Sequence, residues 1–544
     1  MLQTRSTHSK RLLAVPAGAS LVALAIAGIV GASPTGLSPV PGAQPRAAGF
    51  APPTAISPEL ALVERARGSM NIENGTAIPY YGYMSDGPML PAPGDVQSPG
   101  HNVEATKTEP DENTYLVLAD QLGPDPSYNY GTHFLFQGHE AGAGYITRVN
   151  LDADVAHRVT LIAVNDTSNM PLPAIDGSTW DPFAQRLLFS SENGTQGGVW
   201  QSTLDGSVVS LGASLGRAGY EGMQNDSSGN LWLVEDVGGA RPSGSQARNP
   251  NSFVYRFVPT DANDLTKGKL QVLQVQSART HTPITFQAID AAHPTAGIFT
   301  DDTKDLHTYG TVFDTQFVTI HDTAVDTSGL PFDANAVAKA AGGTPFKRPS
   351  NGQFLPGSKF TTFFFDETGD TNVQSAAAAA FGGFGGIQKL TLTAPGADTG
   401  HLTPFYVGDA AHTGFDNTAF WDKTHVVFVE DAGDTLHTQR NGLDSAYMFD
   451  TTSDYSDPAN QPLRFLAQGR DPSATIDAGL QSLGGGFQNK GDNAITGFHV
   501  SDGDATVKGV LGTKTPKALK GKWRVFFTNQ HGDNVTDEIV AGRH

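Results

Sequence analysis

Carboxylates recur at the ends of short β-forming segments, and this pattern is the part of the sequence that could do chemistry. Each segment starts with a turn rich in Gly, Asp, Asn or Pro, continues through four or five β-forming residues and stops at an acid or an amide. The segments end at Glu140, Glu192, Glu235-Asp236, Asp322, Asp366-Glu367, Glu430-Asp431 and Asn529, which His531 follows two residues later. Carboxylates that converge raise each other's pKa unless cations neutralise them. Oxygen ligands of this kind select calcium, magnesium or a similar hard ion, so the pattern predicts a metal site.

The spacing of these acids predicts the elements that would position them. Successive steps from Glu140 are 52, 43, 87 and 44 residues, so one unit recurs, once as a double step. Repeats of about 40–50 residues are typical of four-stranded propeller blades. We therefore expect an all-β fold, a β-propeller of five to seven blades with loop insertions, whose equivalent strand ends form a ring at one face. The alternative for each acid is a solvated residue that only caps its turn.

The composition limits the classes of protein that fit. The 544 residues include 35 basic and 55 acidic residues, for a formal net charge of −20. This acidic excess argues against nucleic-acid binding, which recruits Lys and Arg, and it favours cationic ligands. The absence of cysteine excludes disulfides, thiolate zinc sites and a cysteine nucleophile. The sequence also lacks the GxSxG, P-loop and HExxH motifs, which weakens serine-hydrolase, nucleotide-binding and zinc-protease interpretations.

The N-terminus has the order of a secretory signal. Arg5, Lys10 and Arg11 precede an apolar run from Leu12 to Gly31, and small residues up to Ala32 offer a cleavage site. The alternative is an uncleaved anchor, because about 20 apolar residues can span a bilayer. We predict a signal peptide over residues 1–32, a disordered linker over 33–60 and one propeller domain over 61–544. The mature protein would then lie outside the cytoplasm, with no membrane contact beyond the signal peptide.

Eight segments of the chain have sequences more specific than the strand repeat. They include "GHEAGAGYITRVNLD", "GRAGYEGMQNDSSGNLWLVEDVGG" and "FKRPSNGQFLPGSKFTTFFFDETGD". The eight segments cover residues 138–152, 176–193, 216–239, 251–275, 346–370, 414–434, 493–504 and 523–533. In this order they resemble the PhoX-type alkaline phosphatase family of exported bacterial proteins. The resemblance implies a six-bladed propeller-like fold, a periplasmic or secreted location, and hydrolysis of phosphate monoesters at a cluster of iron and calcium ions.

The resemblance also implies roles for residues by their position. Glu221 in "GYEG" corresponds to a metal-binding glutamate, and Arg348 in "KRP" corresponds to an arginine that contacts phosphate. The remaining acidic positions of the family pattern are Glu140, Glu192, Glu235, Asp236, Asp416 and Glu430. Two family positions differ here: the cysteine near Ala174 is missing, and Ser350 stands where the family has a glutamate. Calcium is therefore the expected cofactor, and iron is an open alternative.

The function that fits these patterns best is metal-dependent hydrolysis of a small phosphorylated substrate by a monomer. Arg348 would hold the phosphoryl oxygens with its planar guanidinium, or alternatively form a salt bridge with one of the many acids. His531 would bind metal or donate a proton to the leaving group, or else be an ordinary strand-end residue. Two other functions stay open: a non-catalytic calcium-binding propeller that presents loops to a partner, and a calcium-dependent lactonase-type hydrolase.

Overall fold

The chain folds into short antiparallel strands with few helices. The structure, a computed structural model, describes residues 35–40, 54–76, 78–84, 108–372, 375–469, 494–530 and 533–542. Within these ranges there are 26 β-strands and five short α-helices, which confirms the predicted all-β class. The helices are α1 (Gly212–Leu215), α2 (Asp301–Asp305), α3 (Ala334–Ala340), α4 (Ser375–Ala378) and α5 (Gly433–Arg440).

Most of the strands are between four and eight residues long. The first half comprises β1 (Ala55–Ile56), β2 (Leu60–Ala66), β3 (Pro110–Val117), β4 (His133–His139), β5 (Ile146–Asn150), β6 (Val159–Ala163), β7 (Ser178–Asp181), β8 (Arg186–Ser191), β9 (Gly198–Ser202), β10 (Val208–Ser210), β11 (Tyr220–Asn225), β12 (Leu231–Glu235) and β13 (Val254–Asp261). The second half comprises β14 (Asp264–Val275), β15 (Phe313–Asp322), β16 (Gly352–Phe354), β17 (Thr362–Glu367), β18 (Gly386–Leu392), β19 (Thr399–Val407), β20 (Phe415–Phe420), β21 (His425–Glu430), β22 (Ser445–Asp450), β23 (Leu463–Ala467), β24 (Ile495–Ser501), β25 (Arg524–Asn529) and β26 (Val535–Ala541).

These strands form five sheets in a propeller-like arrangement. Four sheets are small, with the orders β3-β4-β5-β6, β7-β8-β9-β10, β20-β21-β22-β23-β1 and β24-β25-β26-β2. The fifth sheet has nine strands, in the order β11-β12-β13-β14-β15-β19-β18-β17-β16. The strands β3, β7, β11, β16, β20 and β24 contact one another in that cyclic order and surround a common axis. The starts of six strands therefore meet around one point.

The prediction of six separate blades is wrong. Strand β15 pairs along one edge with β14 and along the other with β19, so two groups of four strands become one nearly closed sheet. Sequence spacing could not reveal this joining, because a repeat of strand lengths does not say which strand edges find hydrogen-bond partners. The outer edges of the two groups are covered by β15, which leaves fewer open edges for pairing with other chains.

The N-terminal segment closes the fold and is only partly described. Strand β2 pairs with β26, the last strand of the chain, and β1 pairs with β23. Leu37 is buried in the same hydrophobic cluster as Leu60, so these parts of the predicted linker over residues 33–60 belong to the folded domain. The predicted signal peptide, residues 1–32, lies outside the described residues. Among the helices in the described ranges, none has the length and hydrophobicity to cross a bilayer.

The nine-stranded sheet is held together by an aromatic core centred on Trp232. The ring of Trp232 from β12 lies 5.2 Å from Phe317 of β15, 5.0 Å from Phe354 of β16 and 5.1 Å from Phe363 of β17. Trp232 is 1% exposed, and its contacts span both halves of the sheet. Edge-to-face aromatic pairs add to the free energy gained by burying these large side chains.

The Trp232→Ala substitution should therefore destabilise the whole propeller. Removing a buried tryptophan leaves a cavity between both halves of the sheet, and we expect the free energy of unfolding to fall by about 3–5 kcal/mol. Chemical denaturation followed by circular dichroism measures this change. Val325→Ala, at a residue that is 83% exposed, is the control and should change stability by less than about 0.5 kcal/mol. Equal effects of the two substitutions would contradict the role given to Trp232.

Candidate metal centre

One set of six polar side chains, four of them acids, stands at or just before the starts of the six strands that surround the axis. Asp111, Glu221 and Asp416 are the second residues of β3, β11 and β20, and Thr496 has the same place in β24. The chain reaches the equivalent position two residues before β7 and two residues before β16, where it places Asp176 and Ser350. All six side chains line one small cavity at this end of the axis.

Bulges near the starts of four of these strands set the direction of the side chains. The pairing register shifts between Pro110 and Asn113 in β3, between Tyr220 and Met223 in β11, between Phe415 and Thr418 in β20, and between Thr496 and His499 in β24. A β-bulge bends its strand locally and re-aims the side chains beside it. The repeated irregularity thus turns acids such as Asp111, Glu221 and Asp416 into the axial cavity.

A second set lines the cavity from the residue directly after the second strand of each unit. These residues are Glu140, Glu192, Asp236, Thr368, Asp431 and Gln530, which follow β4, β8, β12, β17, β21 and β25. The cavity therefore receives two side chains from each of six units, and Arg348 is its thirteenth lining residue. Eight of the thirteen are carboxylates.

The residue one position earlier in each second strand points away from this cavity, because successive side chains of a strand face opposite sides. Glu235 accepts hydrogen bonds from the Tyr255 hydroxyl at 3.0 Å and from the Asn335 side chain at 2.9 Å. Glu430 forms an ion pair with Arg440 at 2.8 Å. The structure therefore does not bring Glu235 and Glu430 into the cluster, although the sequence pattern predicts them there. Each is fully buried and holds a neighbouring loop.

The other predicted acids do converge. Glu140, Glu192, Glu221, Asp236 and Asp416 all line the cavity, whose volume is about 30 Å³. Two groups can each present three carboxylate oxygens within 4.8 Å of one another: Asp111 with Glu140 and Asp176, and Asp176 with Glu192 and Glu221. Asp176 belongs to both groups, so the acids form one continuous cluster. This meeting of side chains from distant units is the geometry that a multi-cation site requires.

Two neutral side chains bridge the acids of different units. The Ser350 hydroxyl lies 2.7 and 2.6 Å from the two carboxylate oxygens of Glu221 and 2.7 Å from an oxygen of Asp416. A hydroxyl has one hydrogen to donate, so it satisfies one of these oxygens at a time. The Gln530 amide nitrogen donates to Asp111 and to Glu140, both at 2.7 Å. These two residues place neutral donors where further acids would increase the repulsion.

Burial and mutual repulsion together disfavour the ionised form of the cluster. The pKa values of Asp111, Asp176, Glu192 and Glu221 are raised well above their usual range, first by burial and then by neighbouring carboxylates. The pKa of Asp416 is also raised by burial, although its hydrogen bonds with Glu221 and Ser350 oppose the rise. Cations bound among these oxygens would reverse this effect, because they stabilise the charged carboxylates.

Arg348 is the basic residue of the cavity, and its backbone holds it in an unusual conformation. Its φ angle is 62°, in the left-handed region that a residue with a side chain rarely adopts, least of all before a proline. The Thr368 backbone N–H donates to the Arg348 carbonyl at 2.8 Å and fixes this geometry. The Arg348 Nε atom donates to Asp236 at 2.6 Å. Strained backbone of this kind is often retained where a side chain has a functional position.

The histidines contribute little to the described part of the cavity. His531 lies outside the described residues, so its predicted catalytic role stays a prediction. His139, which directly precedes Glu140, points away from the cavity, and its Nε2 atom lies 2.9 Å from the Thr147 hydroxyl. Burial lowers the pKa of His139 well below its usual value, so the ring is neutral near pH 7.

Sequence reasoning missed several cavity residues. Asp111, Asp176, Ser350 and Gln530 were not predicted as ligands, and Asp431 was named only as a segment end beside Glu430. All of them except Asp111 stand within the segments that carry the family resemblance. An acid or polar residue at the start of the first strand of each unit was the missing signal. A search for that position, in addition to the end of the second strand, would have found Asp111 and Asp176.

The donor set fits a hard cation. One oxygen each of Asp111 and Asp176 is buried and has no hydrogen-bond partner among the described residues. Buried polar atoms are nearly always paired, so these oxygens are candidates for metal coordination. Every donor of the described cavity that can bind a cation is an oxygen, in carboxylates, hydroxyls and an amide. Such a set suits a hard cation, such as calcium or magnesium.

Comparison with known proteins supports the fold and goes no further. No family model and no curated protein matches the sequence. Among solved structures, the fold is similar to Pseudomonas fluorescens PhoX in complex with vanadate, a transition-state analogue, with a TM-score of 0.53 and 9% identity. The similarity covers 93% of this chain and 98% of that chain. YCF48 from Cyanidioschyzon merolae aligns with a TM-score of 0.27 and 10% identity over 79% of this chain and 96% of that chain, which is too weak to support any inference. The chain thus has a PhoX-like fold.

Proposed function

We propose that this protein is an exported, metal-dependent phosphatase that hydrolyses phosphate monoesters at the carboxylate cavity. The observation that carries the proposal is the convergence of eight carboxylates and one arginine in a cavity of about 30 Å³. Acids hold cations and the arginine attracts a phosphoryl group, so the two kinds of residue together fit a phosphate ester better than a neutral lactone. Export is inferred from the basic and apolar N-terminal residues, and a periplasmic or secreted location follows from it.

The acids of the cavity would hold the cations, and Arg348 would bind the substrate. Bound cations polarise phosphoryl oxygens and lower the pKa of a coordinated water. Asp236 occupies the Nε side of the Arg348 guanidinium, which leaves the terminal nitrogens directed elsewhere. Nη1 has one weak contact, 3.4 Å to the Thr371 hydroxyl, and no described residue accepts a hydrogen bond from Nη2. These N–H groups can donate to phosphoryl oxygens, in the planar geometry that suits a phosphate.

The calcium dependence of stability should grow as the pH rises. The cavity carboxylates have raised pKa values in the folded state, so without cations their protonated form stabilises the fold at low pH. This stability is lost as the pH rises from about 4, where unfolded acids ionise, through the raised values of the folded protein. Bound calcium prevents this loss of stability, because it binds the ionised acids and neutralises their charge. We expect the increase in melting temperature caused by calcium to be larger at pH 9 than at pH 5, as measured by scanning calorimetry against a chelator-treated sample. A pH-independent increase would contradict this expectation.

Two matched Glu→Gln variants separate cavity acids from structural acids. Glu221 and Glu235 are both buried and lie on the adjacent strands β11 and β12, but only Glu221 lines the cavity. We expect Glu221→Gln to lose bound calcium and to lower hydrolysis of 4-nitrophenyl phosphate by about 10–100-fold, the usual loss when a metal site is weakened. Glu235→Gln should retain the calcium content of the wild type. Elemental analysis of the purified proteins measures the metal. Equal calcium loss in both variants would show that the cavity is not the site.

Arg348→Gln tests the substrate-binding role. Loss of a charged donor to the phosphoryl group should lower kcat/KM for 4-nitrophenyl phosphate by about 10²–10³-fold while calcium stays bound. Arg279→Gln is the control, since Arg279 is exposed and pairs with Asp305. Unchanged turnover in Arg348→Gln would contradict the role. A wild-type protein that binds calcium but releases no phosphate would instead support the calcium-binding propeller, and cleavage of lactones alone would support the lactonase.

A further inference from the structure

A second arginine beside the cavity has a charge that nothing in the described structure neutralises directly. Arg248 lies on the segment between β12 and β13, and it is half-buried. Its Nε atom is buried without a hydrogen-bond partner, and none of the described residues accepts a hydrogen bond from its terminal nitrogens or forms an ion pair with it. A guanidinium has five N–H groups to donate, so burial without acceptors is unfavourable.

The charged groups around Arg248 make its burial without acceptors still less favourable. The charged neighbours that affect it most are two other arginines, Arg348 of the cavity and Arg241 of the same segment. Burial first, and then these like charges, lower the pKa of Arg248 to about 10. The carboxylates Asp236 and Asp370 offset the effect only in part. Asp236 already accepts a hydrogen bond from Arg348, and Asp370 accepts one from Lys347, so both of these acids are engaged with other cations.

The position of Arg248 is fixed by close packing of its own segment. A Cβ atom on Gly238 would lie 2.6 Å from an Arg248 terminal nitrogen, so the guanidinium lies directly against the backbone two residues after Asp236. A Cβ on Gly239 would lie 1.7 Å from the Asn249 carbonyl oxygen, so the backbone at Gly239 packs directly against the backbone at Asn249. The Arg248 backbone N–H donates to Asp370 at 3.0 Å. The side chain is therefore held near Arg348 by its backbone and not by a partner of its charge.

We propose that Arg248 binds a second anionic group of the substrate, next to the phosphoryl group that Arg348 binds. This inference rests on the proposed phosphatase function and names its substrate class: phosphate esters whose leaving group has a further carboxylate or phosphate. An anion bound beside Arg248 would accept hydrogen bonds from its guanidinium N–H groups. It would also reduce the repulsion between the positive charges of Arg248 and Arg348. Half-buried arginines without a protein partner are well suited to such recognition, because carboxylate and phosphate match the planar guanidinium.

A pair of matched ligands tests the proposal with the calcium-loaded protein. Glycerol 3-phosphate and 3-phosphoglycerate have the same phosphate on a three-carbon chain, but only the second has a carboxylate. Because the calcium-loaded protein would hydrolyse both esters, the titration uses their non-hydrolysable phosphonate analogues, and calorimetry should show that the wild type binds the analogue of 3-phosphoglycerate more tightly. Arg248→Gln should weaken binding of 3-phosphoglycerate by about 10–100-fold, as expected for loss of a charged hydrogen bond, and should change binding of glycerol 3-phosphate less than about twofold. Fructose 1,6-bisphosphate, compared with fructose 6-phosphate, shows whether a second phosphate serves as well as a carboxylate.

Arg241→Gln is the matched control. Arg241 belongs to the same segment and has the same charge, but it is exposed and donates to Gln246, so its loss should leave both affinities within about twofold. Equal affinities of the wild type for the two three-carbon ligands would overturn the proposal. An equal loss for both ligands in Arg248→Gln would overturn it too. If the preference for 3-phosphoglycerate is present while no ester is hydrolysed, the phosphatase function fails and the second anion site stands.

Discussion

Repulsion among carboxylates confined to one small cavity is the constraint on which this structure depends. Eight acids line a cavity of about 30 Å³, and two of their buried oxygens have no partner among the described residues. Ionised carboxylates packed this closely in a cavity with little water raise the free energy of the folded state by several kcal/mol, unless cations or protons neutralise them. The fold holds the acids there from strands that are hundreds of residues apart. A protein whose acids had only to cap turns would leave them in solvent, where they cost nothing.

The propeller-like arrangement explains both the cluster and its asymmetry. Each of six units offers two positions, at the start of its first strand and after its second, and four units fill both with acids. The unit of β16 and β17 offers Ser350 and Thr368, and the unit of β24 and β25 offers Thr496 and Gln530. The first of these neutral units also contributes Arg348. The repeated strand arrangement thus brings the carboxylates together, while the two units without acids provide the positively charged Arg348 and neutral hydrogen-bond donors. A site with distinct roles for its residues needs such departures from the repeat.

Part of this arrangement could be predicted from sequence, and the limits have a physical cause. The recurring β-forming segments that end in an acid, and the repeat near 43 residues, identified the all-β class and the convergence of Glu140, Glu192 and Asp236. The same pattern could not say which of two adjacent acids faces the axis, since a shift of one residue reverses the direction of a strand side chain. Glu235 and Glu430 were misplaced for this reason. The bulges that turn Asp111 and Asp416 inward, and the pairing of β15 with two neighbours, depend on contacts between distant segments that no local pattern records.

Holding cations is the central role assigned to this cavity, and diffraction can locate them directly. A crystal structure of the protein purified without chelator, with anomalous data, is the most direct measurement. We expect anomalous peaks inside the cavity, with oxygens of Asp111, Asp176 and Glu221 at about 2.3–2.6 Å from them, the usual distance for calcium. If the cavity carboxylates contact only one another and water, and no anomalous peak lies between them under calcium-rich conditions, the cavity does not hold cations.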